Sequence, residues 1–130
     1  MKLRLRHNSI RLRLTQGEVS KLAETKYVEE AIDFGPGSDT RALAYSIESI
    51  ADSKSVAANF SGGKIRVMVP EAVIRHWAET DDVGISVEIK ALNGESLNVL
   101  LEKDFTCLKR REGEDKDTFP NPAGVREVTQ

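Results

Sequence analysis

Three observations on the sequence predict an α+β fold of two fused ββαββ units. Apolar and polar residues alternate in a series of short segments, the period of a half-buried strand. Two segments with helical apolar spacing each follow a strand and carry a helix-start signal. The stretch from Ile10 to Thr25 can be laid on Ile65 to Thr80 without a gap. The expected product is an intertwined, mostly antiparallel β-sheet or barrel core with two short helices.

Leu3 and Leu5 share one face of a first strand, Lys2 to Arg6, and His7-Asn8 supplies a turn. Ile10, Leu12 and Leu14 repeat the pattern, with Ser9, Arg11 and Arg13 on the other face. Thr15-Gln16-Gly17-Glu18 fits a capping box, in which the Thr hydroxyl takes an early helix amide and Glu18 reaches back. Val19, Leu22 and Ala23 then predict a helix over about residues 16–25. A strand is expected from Val28 to Phe34. Gly35-Pro36-Gly37-Ser38-Asp39 breaks it, and Leu43, Tyr45 and Ile47 alternate in the next.

The second half repeats this order. Val56 to Phe60 is a weak strand and Ser61-Gly62-Gly63 a turn. Ile65, Val67 and Val69 alternate, and Pro70 suits the first helical position, where no amide donor is needed. Val73, Ile74, Trp77 and Ala78 form a helix stripe. Val83, Ile85, Val87 and Ile89 alternate again. Asn93-Gly94 is a strong hairpin signal, because both residues tolerate positive φ, and Leu97 to Leu101 returns.

Within the ungapped match, five of sixteen pairs are identical: Ile10/Ile65, Arg11/Arg66, Ala23/Ala78, Glu24/Glu79 and Thr25/Thr80. Leu12/Val67, Leu14/Val69, Val19/Ile74 and Leu22/Trp77 keep apolar character. Shared binary patterning alone makes amphipathic segments look alike, but it does not demand the Ala-Glu-Thr identity. The reading is a duplication. The first unit is placed at residues 1–50, the second at 51–108, and a charged tail at 109–130. One such unit is too small to hold a core alone. Two can bury each other's sheets, giving a pseudo-dimer within one chain that stands as a monomer or pairs as a homodimer.

The chain has 130 residues, 39% hydrophobic and 31% charged. That suits a small folded domain and not a disordered one. With 19 Lys+Arg against 21 Asp+Glu the net charge is −2. A globally basic nucleic-acid binder is excluded, while a local basic patch is not. The single Cys107 excludes an intramolecular disulfide and a thiolate metal cage; it reads as an apolar filler. No apolar run approaches the roughly 18–20 residues of a membrane helix. Met1 to Arg6 lacks the apolar core of a secretory signal. The expected location is cytoplasmic, with no membrane partner.

Charge is uneven along the chain. The first thirteen residues hold five cations, Lys2, Arg4, Arg6, Arg11 and Arg13, and no acid. If the first two strands pair antiparallel, all five project from one face. Like charges opposite one another in a sheet cost up to about 1 kcal/mol per pair, a cost an anionic partner relieves. A phosphate backbone is one such partner, since each neutralised phosphate releases counterions. Glu29, Glu30 and Asp33 of the same chain are another.

The remaining chemistry is sparse. His7 and His76 stand far apart in the chain, and no Cys/His/carboxylate spacing suggests a metal. Asp81 and Asp82 read as a loop after the second helix. Ser61-Gly62-Gly63-Lys64 leads into a strand and lacks the spacing of a phosphate loop. No nucleophile with its base and no carboxylate pair is evident. The expectation is therefore no enzyme, no cofactor and no metal. In the tail, Phe119-Pro120-Asn121-Pro122 blocks regular structure. The tail is a solvated end, or else Phe119 anchors it on the domain.

Asn8-Ser9-Ile10-Arg11-Leu12-Arg13-Leu14-Thr15 resembles the N-S-x-x-V-R-I-P stretch of the AbrB/MazE-like swapped-hairpin proteins. Gly63-Lys64-Ile65-Arg66-Val67-Met68-Val69-Pro70 fits the same frame and supplies the proline. The chain also looks like a small bacterial family without an assigned function. The swapped-hairpin resemblance covers residues 1–105. It implies interleaved hairpins and operator-DNA binding, as in antitoxins and transition-state regulators. Carried over by position, the implied DNA contacts are Arg4, Asn8 and Arg13; the cation cluster adds Lys2, Arg6 and Arg11. The second unit departs from the motif, with Met68 at the Arg position and Gly62-Gly63 at the turn, and offers no equivalent set. The expected function is a non-enzymatic binding module that takes DNA on a basic N-terminal hairpin. The alternatives are a protein-interaction module with a protein partner, or a binder of small anions.

Overall fold

The computed structural model describes residues 1–37, 42–105 and 119–120. Among the described residues, eight strands and two helices run in the predicted order: β1 (Lys2–Arg6), β2 (Ser9–Leu14), α1 (Gln16–Thr25), β3 (Tyr27–Asp33), β4 (Ala42–Ile50), β5 (Ala57–Ser61), β6 (Lys64–Pro70), α2 (Glu71–Glu79), β7 (Gly84–Lys90) and β8 (Ser96–Lys103). The fold is α+β, with two mixed four-stranded sheets.

The sheets are built by exchange. One has the order β1-β2-β8-β7 and the other β3-β4-β6-β5. Each therefore joins the first hairpin of one unit to the second hairpin of the other. Swapping the units converts one order into the other, which defines a pseudo-two-fold axis. The seam is a parallel pair in both sheets: Ser9 to Leu14 beside Asn98 to Lys103, and Lys64 to Pro70 beside Ala44 to Ile50. The outer pairs are antiparallel. The two helices carry the chain between the sheets, α1 from β2 to β3 and α2 from β6 to β7.

The inner faces meet in one core. Leu12, Leu14, Val99 and Leu101 from the first sheet pack with Tyr45, Ile47, Val67 and Val69 from the second. Val19 and Leu22 of α1 and Ile74 and Trp77 of α2 close one end. Trp77 satisfies its indole by donating Nε1–H to the Val83 carbonyl at 3.3 Å. Its counterpart in the repeat is Leu22, so the larger side chain sits in the second unit.

The helix ends follow local chemistry. Thr15 caps α1, its hydroxyl accepting from the Glu18 amide at 3.3 Å while its own amide donates to Glu18 Oε1 at 2.8 Å. Lys26 ends the helix in the left-handed region, φ 70°, and leads directly into β3. Pro70 departs from expectation. It is the N-cap of α2, with φ −56° and ψ 138°, rather than its first helical residue. The pyrrolidine ring fixes φ but not ψ, and pairing with Ile50 holds Pro70 in the strand.

The two glycine turns differ from one another. Gly62 and Gly63 both take positive φ in a two-residue connection. At Asn93-Gly94, only Gly94 does so, φ 86°. The Gly94 amide donates to the Ala91 carbonyl at 3.1 Å and the Ala91 amide to the Glu95 carbonyl at 2.8 Å. That is a three-residue hairpin with a glycine bulge, which needs one positive φ and not two. Phe119 is 95% exposed and anchors nothing among the described residues. Cys107, Ser38-Asp39 of the breaker and most of the 109–130 tail lie outside the described residues.

Candidate functional site

The outer face of the β1-β2-β8-β7 sheet gathers the N-terminal cations. In the β1–β2 ladder Lys2 faces Arg13, Arg4 faces Arg11 and Arg6 faces Ser9. Facing residues in a ladder point the same way, so all five cations share one face. β7 adds Lys90 and Glu88, and β8 adds Glu102. Six cations and two acids thus stand at strand positions on this face, and Asp104, just past β8, adds a third acid beside Lys2.

The equivalent face of the other sheet is different. It carries Lys64 and Arg66 against Glu29, Asp33 and Glu48. At the positions equivalent to Lys2, Arg4 and Arg6 it has Ala57, Asn59 and Ser61. The two units share the frame and differ in charge. On this second face Lys64 binds Glu29 at 2.6 Å and also donates to the Tyr27 hydroxyl. The Lys64 ammonium, hydrogen-bonded to Glu29, holds that carboxyl below the usual carboxylate range.

Glu102 is the neutralising group of the basic face. Its Oε1 lies 3.5 Å from Arg11 Nε and 3.4 Å from Arg13 Nη2. Register explains this, since Arg13 stands beside Glu102 across the parallel seam. Gly84 stands on the other side of Glu102. A Cβ on Gly84 would lie 2.5 Å from the Leu101 carbonyl oxygen, so only glycine permits this close approach of β7. Lys2 reaches Asp104 at 3.3 Å. Arg4 and Arg6 form no ion pair among the described residues. The intrachain acids are therefore Glu102 and Asp104, not Glu29, Glu30 and Asp33. Glu29 and Asp33 face outward on the opposite sheet, and Glu30 binds the Met1 ammonium at 2.6 Å.

Asn8 has a structural partner. Its Nδ2 donates to the Ser96 carbonyl at 2.8 Å, and its own carbonyl accepts from the Asn98 amide at 3.0 Å. It ties the β1–β2 turn to β8, while His7 takes the positive φ of 48°. A shallow depression of about 170 Å³ lies among Lys2, Leu3, Arg4, Arg11 and Arg13. Arg13 Nε is buried there without a hydrogen-bond partner among the described residues.

Other chemistry is scattered. His76 Nε2 lies 3.0 Å from Asp82, and both are exposed. Among the described residues no three His, Cys, Asp or Glu side chains converge as a metal site. No described helix is long and apolar enough to cross a membrane. Glu102 and Gly84 were the residues that sequence reasoning missed. Glu102 is readable as an outward position of its strand, but its closeness to Arg11 depends on the exchange of hairpins.

The fold and this face define a duplicated ββαββ protein with exchanged hairpins and one basic sheet surface. The chain belongs to the family described as a family of unknown function, DUF7009, whose model matches residues 1–123. No curated protein and no solved structure matches the chain.

Proposed function

We propose that the protein is a non-enzymatic binding module that takes DNA on the outer face of β1 and β2. One observation carries this reading: of two equivalent sheet faces, one holds six cations and three acids, Asp104 beside Lys2 included, and the other two cations and three acids. A structural role for the charges would not require such division. Arg4 opposite Arg11 opposes folding, and a phosphate between them turns repulsion into two charge-assisted hydrogen bonds. Arg4 and Arg6 provide the first contacts, because Arg11, Arg13 and Lys2 already have carboxylates near them. The AbrB/MazE-like motif points to the same hairpin. Asn8 positions the turn in this scheme and contributes through its backbone geometry.

A short labelled duplex, titrated at low salt and followed by anisotropy, tests the reading. Wild type binds, and Arg4→Ala/Arg6→Ala binds at least about tenfold more weakly, the loss expected for two phosphate contacts at low salt. Equal binding by both forms, or none by wild type, rejects it.

The depression among Lys2, Arg4, Arg11 and Arg13 favours a second reading, a single phosphate-sized anion. The arginines that line it suit a tetrahedral oxyanion. Inorganic phosphate then binds alone and saturates, while duplex binding is absent.

A further inference from the structure

We infer that the protein pairs with a second copy of itself through an apolar groove at the hairpin-tip end, away from the helices. The groove has a volume of about 430 Å³ and is lined by residues of both sheets. Its walls come in equivalent pairs from the two units: Leu5 with Phe60, Ile10 with Ile65, and Leu43 with Leu97. The pseudo-two-fold axis therefore passes through it. The helices close the other end of the sandwich with Leu22 and Trp77, but nothing among the described residues closes this one.

The exposed apolar side chains concentrate here. Leu5 is 57% exposed and Phe60 65%. Ile32, Phe34 and Leu92, at the neighbouring strand ends and loops, are exposed as well. At roughly 100 Å² each, these five present about 500 Å² of apolar surface. A standard interface buries about 800 Å² per partner, about 60% of it apolar, so the patch matches what one partner of a stable dimer needs.

A second copy is the occupant the geometry favours. An isologous contact requires a self-complementary surface. This one has both a groove and, beside it, the protruding Leu5 and Phe60 that would enter a groove of the same shape. Its internal two-fold makes each contact formed by one half available again to the other. The rim is also self-complementary in charge. Arg6 lies at the tip of the first sheet and Asp33 at that of the second, so a copy turned sheet against opposite sheet sets the two together. A nucleic acid is disfavoured by so apolar a lining, and of the five N-terminal cations only Arg6 reaches this rim.

Sedimentation velocity of the full chain over a range of concentrations tests this, with Leu5→Ser/Phe60→Ser and Leu92→Lys as variants. Leu92 is fully exposed, so its change cannot disturb packing within one copy. Circular dichroism checks that both variants fold. The expected result is a wild-type dimer that both variants weaken by about thirtyfold or more. A wild type that stays monomeric into the millimolar range overturns the inference, whether or not the groove takes up an apolar dye. So does a dimer that neither variant weakens. DNA binding by the basic face does not enter the readout, so the two proposals fail separately.

Discussion

Arg4 stands directly opposite Arg11 across the β1–β2 ladder, while Glu102 neutralises Arg11 from the other side. The first hairpin thus holds a like-charge pair that only half its members can satisfy internally. This arrangement has measurable consequences for stability and for binding.

Arg4→Thr should stabilise the free protein at low salt by up to about 1 kcal/mol, since it removes the facing charge and keeps strand propensity. Urea denaturation measures it. The gain should shrink at high salt, where the repulsion is screened. The same variant should bind duplex DNA more weakly.

Glu102→Gln should act in the opposite sense. It frees Arg11 and Arg13 while keeping the shape of the side chain. Stability should fall, by on the order of 1 kcal/mol or less given the partial exposure of the pairs, and duplex affinity should rise. Parallel denaturation and anisotropy titrations check both signs.

Gly84→Ala should be destabilising in spite of its small size. The new Cβ meets the Leu101 carbonyl oxygen at 2.5 Å, and relief requires moving an edge strand. A cost of roughly 1–3 kcal/mol is expected, read as a lowered melting temperature.

The Met1 ammonium makes stability pH-dependent at the alkaline end. Burial alone would lower its pKa, but the hydrogen bonds to Glu18 and Glu30 raise it above the ordinary 8.0. Its contribution is therefore complete below about pH 8 and is lost as pH rises through the folded-state value. Glu18 behaves in mirror image. Burial would raise its pKa, yet the ammonium and the Thr15 contacts hold it below the ordinary 4.5. Its contribution is present above that value and is lost as pH falls through the folded one. Glu18→Gln preserves the capping geometry, so it should flatten both limbs of a plot of melting temperature against pH.

The elements themselves were legible in the sequence. Helix α1 falls on its expected span because a capping box and an apolar stripe agree there. The structural repeat was legible too: β1 and β2 map onto β5 and β6 at the same constant offset that the identities define. The shared face of Lys2, Arg4, Arg6, Arg11 and Arg13 followed from period-two alternation together with the antiparallel pairing expected of the first two strands. What local pattern could not supply was which hairpin lies beside which. Glu102 is far from Arg13 along the chain, and their ion pair exists because β2 and β8 run parallel at the seam. Glu29 was one of the acids of the same chain open to the cations, but exchange places it on the other sheet. Pro70 shows the limit at a single residue, since a ring that fixes φ suits both a first helical position and a strand end.

The salt dependence of duplex binding tests the central claim most directly. Slope per neutralised phosphate is about −0.9 on a plot of log affinity against log salt. With Arg4 and Arg11 sharing one phosphate and Arg6 holding another, wild type should give a slope of about −2, and Arg4→Ala/Arg6→Ala about −1. A flat wild-type plot, or one slope shared by both proteins, would contradict a role for this hairpin in DNA binding.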